Sequence, residues 1–230
     1  MSEVIPGIHV IEGLSQVYLY MEADRLTLID TGLATSAAAI LAEIERLGRR
    51  PADLRQIVAT HSHADHTGAL AELAERSGAQ VLVHALDAPA VRGDAPEPPP
   101  VLSAEEQAFF DKIGPLVPPA PPSRVDRELQ DGDEIDLDGG GQVVHVPGHT
   151  PGSIAIYVPR RRVLFSGDTV ERDLEGNVIV GVFNVDREET KRSFAKLAAL
   201  DFDVACFGHG KPLDRDASLA VRRVAERLAR

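Results

Sequence analysis

The chain predicts an α+β fold in which β-sheets are flanked by helices. Residues 4–30 alternate as short apolar runs broken by turn residues, which is the pattern of an antiparallel meander, and the same strand rhythm returns after residue 125. Each strand-rich stretch gives way to segments whose apolar residues recur at helical spacing, so the two halves read alike: strands, then polar turns, then helices. With 230 residues and 43% hydrophobic content the chain can bury one continuous core, and no linker divides 1–230 into independent domains.

Taken in order, strands are expected over 8–12, 16–22 and 26–30, with turns at Gly13-Leu14-Ser15 and Ala23-Asp24. Asp30-Thr31-Gly32 ends the third run. Residues 36–48 form a helix, because Ile40, Leu41, Ile44 and Leu47 share one face and Gly48 is a suitable stop. Pro51 breaks the pattern. Ile57-Val58-Ala59 is a short buried strand, and a helix runs from Thr67 to about Arg76. Val81-Leu82-Val83 is a further buried strand, ended by His84, which is read as a rim histidine outside any site.

Residues 85–124 depart from this rhythm, since ten of the sixteen prolines lie there. Between two Pro-rich stretches, Ser103 as N-cap and Glu106 three residues later form a capping box, and Phe109, Phe110, Ile113 and Leu116 give the following helix an apolar face. The segment is a stiff surface excursion, and it serves either as a lid or wall over a cleft or as a homodimer contact. Beyond it, a turn at 129–133 leads into strands near 134–137, 142–146, 153–158 and 162–166. A loop over 169–177 follows. A helix over 186–200 then turns Phe194, Leu197 and Ala198 inward. The last strand spans 202–207, and residues 214–230 close the chain as a helix whose apolar face includes Leu219, Val224 and Leu228.

The most chemically loaded stretch is Thr60-His61-Ser62-His63-Ala64-Asp65-His66-Thr67, which joins the 57–59 strand to the next helix. In extended or turning backbone His61 and His63 project to the same side and can share one ion, whereas Asp65 and His66 curl into the helix start and can reach a second. Imidazole with carboxylate suits Zn²⁺ best, with Fe and Mn as alternatives. Three more candidates occupy Gly-flanked turns after β-like runs: His149 in Pro147-Gly148-His149, Asp168 in Ser166-Gly167-Asp168 and His209 in Gly208-His209-Gly210. Glycine there lets the backbone bend sharply and approach an ion closely.

This ordered set resembles the metallo-β-lactamase superfamily over nearly the whole chain. The resemblance implies a four-layer αβ/βα sandwich of two mixed sheets. It implies that His61, His63 and His149 hold a first metal, that Asp65, His66 and His209 hold a second, and that Asp168 bridges the two. The expected cofactor is two Zn²⁺, and the expected reaction is attack of a bridging hydroxide on an ester, thioester, lactone or amide of a small-molecule substrate. Asp65 and Asp168 are its catalytic carboxylates: Asp65 orients the hydroxide and Asp168 sets the metal spacing. Asp30, in the D-T-G turn, is expected behind the metals or as a helix cap. The alternative carried by the same motifs is a mononuclear iron oxidoreductase acting on a small thiol or persulfide. Within the superfamily, the helical region of glyoxalase II-like thioesterases is expected to be absent or minimal here, and Glu171 stands where acyl-homoserine lactonases carry tyrosine.

The net charge of −12 comes with no basic stripe, which argues against nucleic acid as a partner. The single cysteine, Cys206, lies in an apolar run and reads as a buried structural thiol. No apolar run approaches a membrane span and no signal-peptide pattern opens the chain, so the expected location is cytoplasmic, with no membrane partner.

Overall fold

The computed structural model describes residues 2–229, which divide into two compact units. The first comprises residues up to 97 together with 116–129, and the second comprises 98–115 together with residues from 130 onward.

The first unit is built on a seven-stranded sheet whose spatial order follows the chain: β1 (Ser2–Ile5), β2 (Ile8–Ile11), β3 (Val17–Met21), β4 (Leu26–Ile29), β5 (Leu54–Val58), β6 (Gln80–His84) and β7 (Arg127–Leu129). The first four strands pair antiparallel through short turns, and β4 to β7 pair parallel. Parallel neighbours need a crossover, which helix α1 (Ala37–Arg46) supplies between β4 and β5. Between β5 and β6 the crossover is α2 (Ala64–Thr67) followed by α3 (Leu70–Ser77). Ile40, Leu41 and Ile44 of α1 and Leu70, Leu73 and Ala74 of α3 bury against Leu26, Leu28, Ile57, Val81 and Val83 of the sheet. The single helix expected to Arg76 is therefore two, separated at Gly68-Ala69. β1 is an additional strand ahead of the expected meander.

The second unit carries a five-stranded sheet of order β14-β11-β10-β9-β8. Its strands are β8 (Glu134–Ile135), β9 (Gly141–His145), β10 (Ile154–Val158), β11 (Val163–Phe165) and β14 (Val204–Cys206). β8 to β11 pair antiparallel, whereas β14 joins β11 in parallel after the crossover helix α6 (Arg187–Ala198). Asp186 caps α6, its carboxylate accepting from the Glu189 N–H at 2.9 Å. Phe194, Leu197 and Ala198 face inward as expected, packing with Phe202, Phe207 and Val221.

Two expectations are corrected here. The stretch 169–177 is not wholly a loop: Val170–Arg172 (β12) and Val178–Val180 (β13) form an antiparallel ribbon, with Glu171 opposite Ile179, closed by a turn in which Asp173 accepts from the Asn177 N–H. The inward face of the last helix, α7 (Ala217–Leu228), consists of Ala217, Val221 and Val224, spaced i, i+4, i+7, so Leu219 and Leu228 are exposed. Leucine at those two positions suggested a face that the helical period does not support.

Within 85–124, α4 (Ala88–Arg92) belongs to the first unit and α5 (Ala104–Ile113) to the second. Both bonds of the capping box form: Ser103 Oγ accepts from the Glu106 N–H, and the Glu106 carboxylate accepts from the Ser103 N–H. Phe109 and Phe110 lie on different faces of α5, yet both rings reach Phe183, one stacked at 5.6 Å and one edge-on at 5.3 Å. No helix among the described residues is long and apolar enough to cross a membrane. Cys206 is buried in β14, and burial pushes its thiol pKa well up.

Candidate metal centre

In the first unit, the parallel pairing of β4 with β5 places Asp30 beside Thr60, each just past the end of its strand. Asp30 is buried at 2% exposure and holds the left-handed backbone (φ 60°). Its carboxylate accepts from the Thr60 N–H at 2.7 Å, from the Thr60 hydroxyl at 2.8 Å and from His66 Nδ1 at 2.9 Å. A carboxylate on Nδ1 fixes the histidine tautomer, so His66 turns Nε2 outward as a ligand atom. That Nε2 lies 3.6 Å from an Asp65 carboxylate oxygen.

The imidazoles of His61 and His63 lie 4.8 Å apart, centroid to centroid, and those of His61 and His66 lie 4.2 Å apart. Three imidazoles and the Asp65 carboxylate are thus gathered on one turn. That turn is held from behind. Asp87, buried at the start of α4, accepts from the Ser62 N–H at 2.9 Å, and the Thr67 hydroxyl donates to the Ser62 carbonyl. The Thr31 N–H and hydroxyl both donate to the His66 carbonyl, and the Ser15 hydroxyl donates to that of Asp65. Gly68 donates to the Gly32 carbonyl at 2.9 Å, and a Cβ at Gly68 would overlap the Leu33–Ala34 backbone. The D-T-G turn and the histidine turn can touch only because residue 68 lacks a side chain. Beside the turn lies a cavity of about 360 Å³, lined by Ser62, Ala64 and Thr67 and by Pro96, Pro119 and Pro121 of the Pro-rich stretches.

In the second unit, His149, Asp168 and His209 come together from three strand ends. Asp168 sits in a tight turn, Gly167–Thr169, after β11, and is 5% exposed. One of its carboxylate oxygens lies 3.5 Å from His149 Nε2 and 3.2 Å from His209 Nε2. His149 Nδ1 donates to the Val182 carbonyl at 3.1 Å, so His149, like His66, has its Nδ1 occupied and its Nε2 directed to the carboxylate. The Gly208 N–H donates to the Gly167 carbonyl and the Arg172 N–H to that of His209, joining the β11 and β14 turns.

The seven candidate ligands thus fall into two groups, four on the first unit and three on the second. Asp30 is a partner of His66 and caps no helix. His84 is buried, with Nδ1 accepting from the Leu86 N–H, and His145 bonds the Pro151 carbonyl; among the described residues neither belongs to a group that could hold a metal. Sequence reasoning missed Asp87 and Thr60 as braces of the histidine turn. A buried aspartate that follows a strand and opens a Pro-containing helix was the available signal for the first.

Comparison with known proteins agrees with this architecture. The profile of the metallo-β-lactamase superfamily matches residues 10–209. A probable metallo-hydrolase of Bacillus subtilis, YflN, is 31% identical over 92% of this chain and 86% of its own length. The acyl-coenzyme A thioesterase MBLAC2 of Gallus gallus is 37% identical over 68% of this chain, which spans 57% of that protein. A hydroxyacylglutathione hydrolase of Ruegeria pomeroyi is 30% identical over 85% of this chain and 63% of its own length. Among solved structures, a metallo-β-lactamase of Cronobacter sakazakii with a HARLDQ motif aligns with a TM-score of 0.70 at 28% identity, covering 91% of this chain and 77% of that one. The subclass B3 enzyme BJP-1 of Bradyrhizobium japonicum aligns with a TM-score of 0.73 at 24% identity, covering 99% and 91%, which shows the shared fold. Mixed sheets whose strand ends carry His and Asp turns mark a metallo-hydrolase. The chain belongs to the metallo-β-lactamase superfamily.

Proposed function

We propose that the protein is a zinc-dependent hydrolase that uses two metal ions to open an ester, thioester, lactone or amide of a small substrate. The observation that carries this reading is the donor set. His61, His63 and His149, then His61, His66 and Asp168, then Asp65, His66 and His209 each offer three ligand atoms of a type that zinc takes. In this reading His61, His63 and His149 hold one ion, Asp65, His66 and His209 hold the other, and Asp168 serves both. Zinc bound there supplies a Lewis acid and lowers the pKa of water.

The chain's own residues set the conditions for that chemistry. Asp30 and the Val182 carbonyl each engage Nδ1 of His66 and His149 and leave Nε2 available, so neither ring must rotate to bind. Asp65 keeps 16% exposure in its side chain, so its carboxylate orients an incoming water and accepts its proton. Burial of Asp168 and His149 excludes bulk water and strengthens every charge interaction around them. The thioesterase and hydroxyacylglutathione hydrolase relatives favour a small thioester among the substrates.

The test is a panel of small thioesters, esters, lactones and amides offered to the zinc-loaded protein. The expected result is hydrolysis of at least one class, thioesters first, abolished by a chelator and restored by zinc. Inertness toward the whole panel, with oxygen-dependent turnover of a small thiol or persulfide by iron-loaded protein, would overturn it.

A further inference from the structure

The segment after β13 occupies an unusual position. Phe183 takes the left-handed backbone conformation (φ 58°), which non-glycine residues seldom adopt and which persists only where surrounding bonds enforce it. The bonds on either side of it are numerous. The Glu171 carboxylate, buried on β12, accepts from the Val182 N–H at 3.2 Å. The Val182 carbonyl accepts from His149 Nδ1. Asn184, also buried, donates from its side chain to the Gly181 carbonyl at 2.7 Å and accepts from the Thr190 hydroxyl at 2.9 Å. The Val185 and Asp186 N–H groups donate to the carbonyls of His149 and Gly148. Gly181 runs so close to the turn that a Cβ there would overlap the Asp168 carbonyl and crowd Glu171.

From this arrangement we propose that Glu171 is a positioning residue for the metal ligand His149, acting through the backbone of Val182. The inference deepens the zinc-hydrolase reading and rests on it. Residue 182 is gripped at its N–H by Glu171 and at its carbonyl by His149. These groups belong to different peptide units on either side of one Cα, so the coupling is positional: the carboxylate fixes where the carbonyl stands, and the carbonyl fixes the ring. An oxygen acceptor suits the task because a part-buried N–H left without one costs stability. It can therefore hold a segment whose next residue is strained. Burying a carboxylate is costly, and a polar side chain facing solvent would need no such place. Residue 171 thus serves ligand geometry from a strand that pairs with β13.

The test compares Glu171→Gln with Glu171→Leu, with Val221→Ala in α7 as a stability control outside the site. Zinc affinity is measured by chelator competition, the cobalt-substituted proteins are compared by visible absorption, and thermal unfolding is recorded for each. Glutamine keeps an oxygen acceptor for the Val182 N–H and is expected to stay within about threefold of the parent affinity. Leucine removes the acceptor and is expected to weaken zinc binding about 10–100-fold, the scale for partners that orient a metal ligand, and to shift the cobalt bands. Val221→Ala is expected to lower the unfolding temperature without changing affinity or spectrum. Parental affinity and cobalt spectrum in Glu171→Leu would overturn the inference while leaving the hydrolase reading intact. Equal losses in Glu171→Gln and Glu171→Leu would overturn it, and so would equal losses in Val221→Ala. Absence of zinc binding by the parent protein would sink the underlying reading as well.

Discussion

On the proposed function, Asp168→Ala is expected to lower hydrolysis by at least about 10²–10³-fold, the scale of losing one group that stabilises charge in a transition state, and to lower bound zinc in parallel. The reason is the position of a single oxygen. It lies 3.5 Å from His149 Nε2 and 3.2 Å from His209 Nε2, in a carboxylate that is almost wholly buried. Alanine removes the carboxylate that both imidazole nitrogens approach, and in the two-metal reading two cations held there would repel each other more strongly without it. Folding is affected much less, because the turn that carries Asp168 is held independently by the Ser166 hydroxyl on the Val170 carbonyl and by the Gly208–Gly167 bond. The check is steady-state kinetics with metal content on a variant whose unfolding temperature stays near the parent's. Retained activity at parental metal content would remove Asp168 from the centre.

Asp30→Ala has the largest expected effect on stability, about 3–5 kcal/mol. One buried carboxylate accepts from the Thr60 N–H, the Thr60 hydroxyl and His66 Nδ1. Each buried donor left without an acceptor costs about 1–3 kcal/mol. Alanine also meets the left-handed backbone at this position, which Asp and Asn tolerate better than most residues. Asp30→Asn is therefore the informative companion: it keeps the backbone tolerance and one oxygen acceptor. It is expected to recover part of the stability while still weakening zinc binding about 10–100-fold, because the charge behind His66 is gone. Denaturant unfolding midpoints with chelator competition separate the two effects. Parental stability in Asp30→Ala would show that this network does not hold the turn.

Much of this was legible beforehand, and the physical reasons are local. The helix over 36–48 carried its own period and stop, and the structure places Ile40, Leu41 and Ile44 in the core with Gly48 at positive φ. The histidine turn was legible because four ligand-type side chains follow an apolar strand within six residues. The capping box of α5 needed only Ser103 and Glu106 at the right spacing. What escaped depends on pairing between distant segments. The β12–β13 ribbon is two three-residue runs, too short for a period, and exists through mutual hydrogen bonding. Asp87 braces Ser62 across 25 residues, and Glu171 reaches Val182 across 11. Nothing in the local composition around those residues announces such bonds. The face of α7 was misplaced because two leucines outweighed the smaller Ala217, which sets the true period.

The central claim is that these seven side chains serve two zinc ions. Its most direct test is elemental analysis of protein purified without added metal or chelator, alongside His66→Ala. The account predicts about two zinc per chain, as in paired hydrolytic sites, with clear loss of zinc in His66→Ala. About one iron per chain, unchanged in His66→Ala, would contradict it and turn attention to oxygen-dependent thiol chemistry.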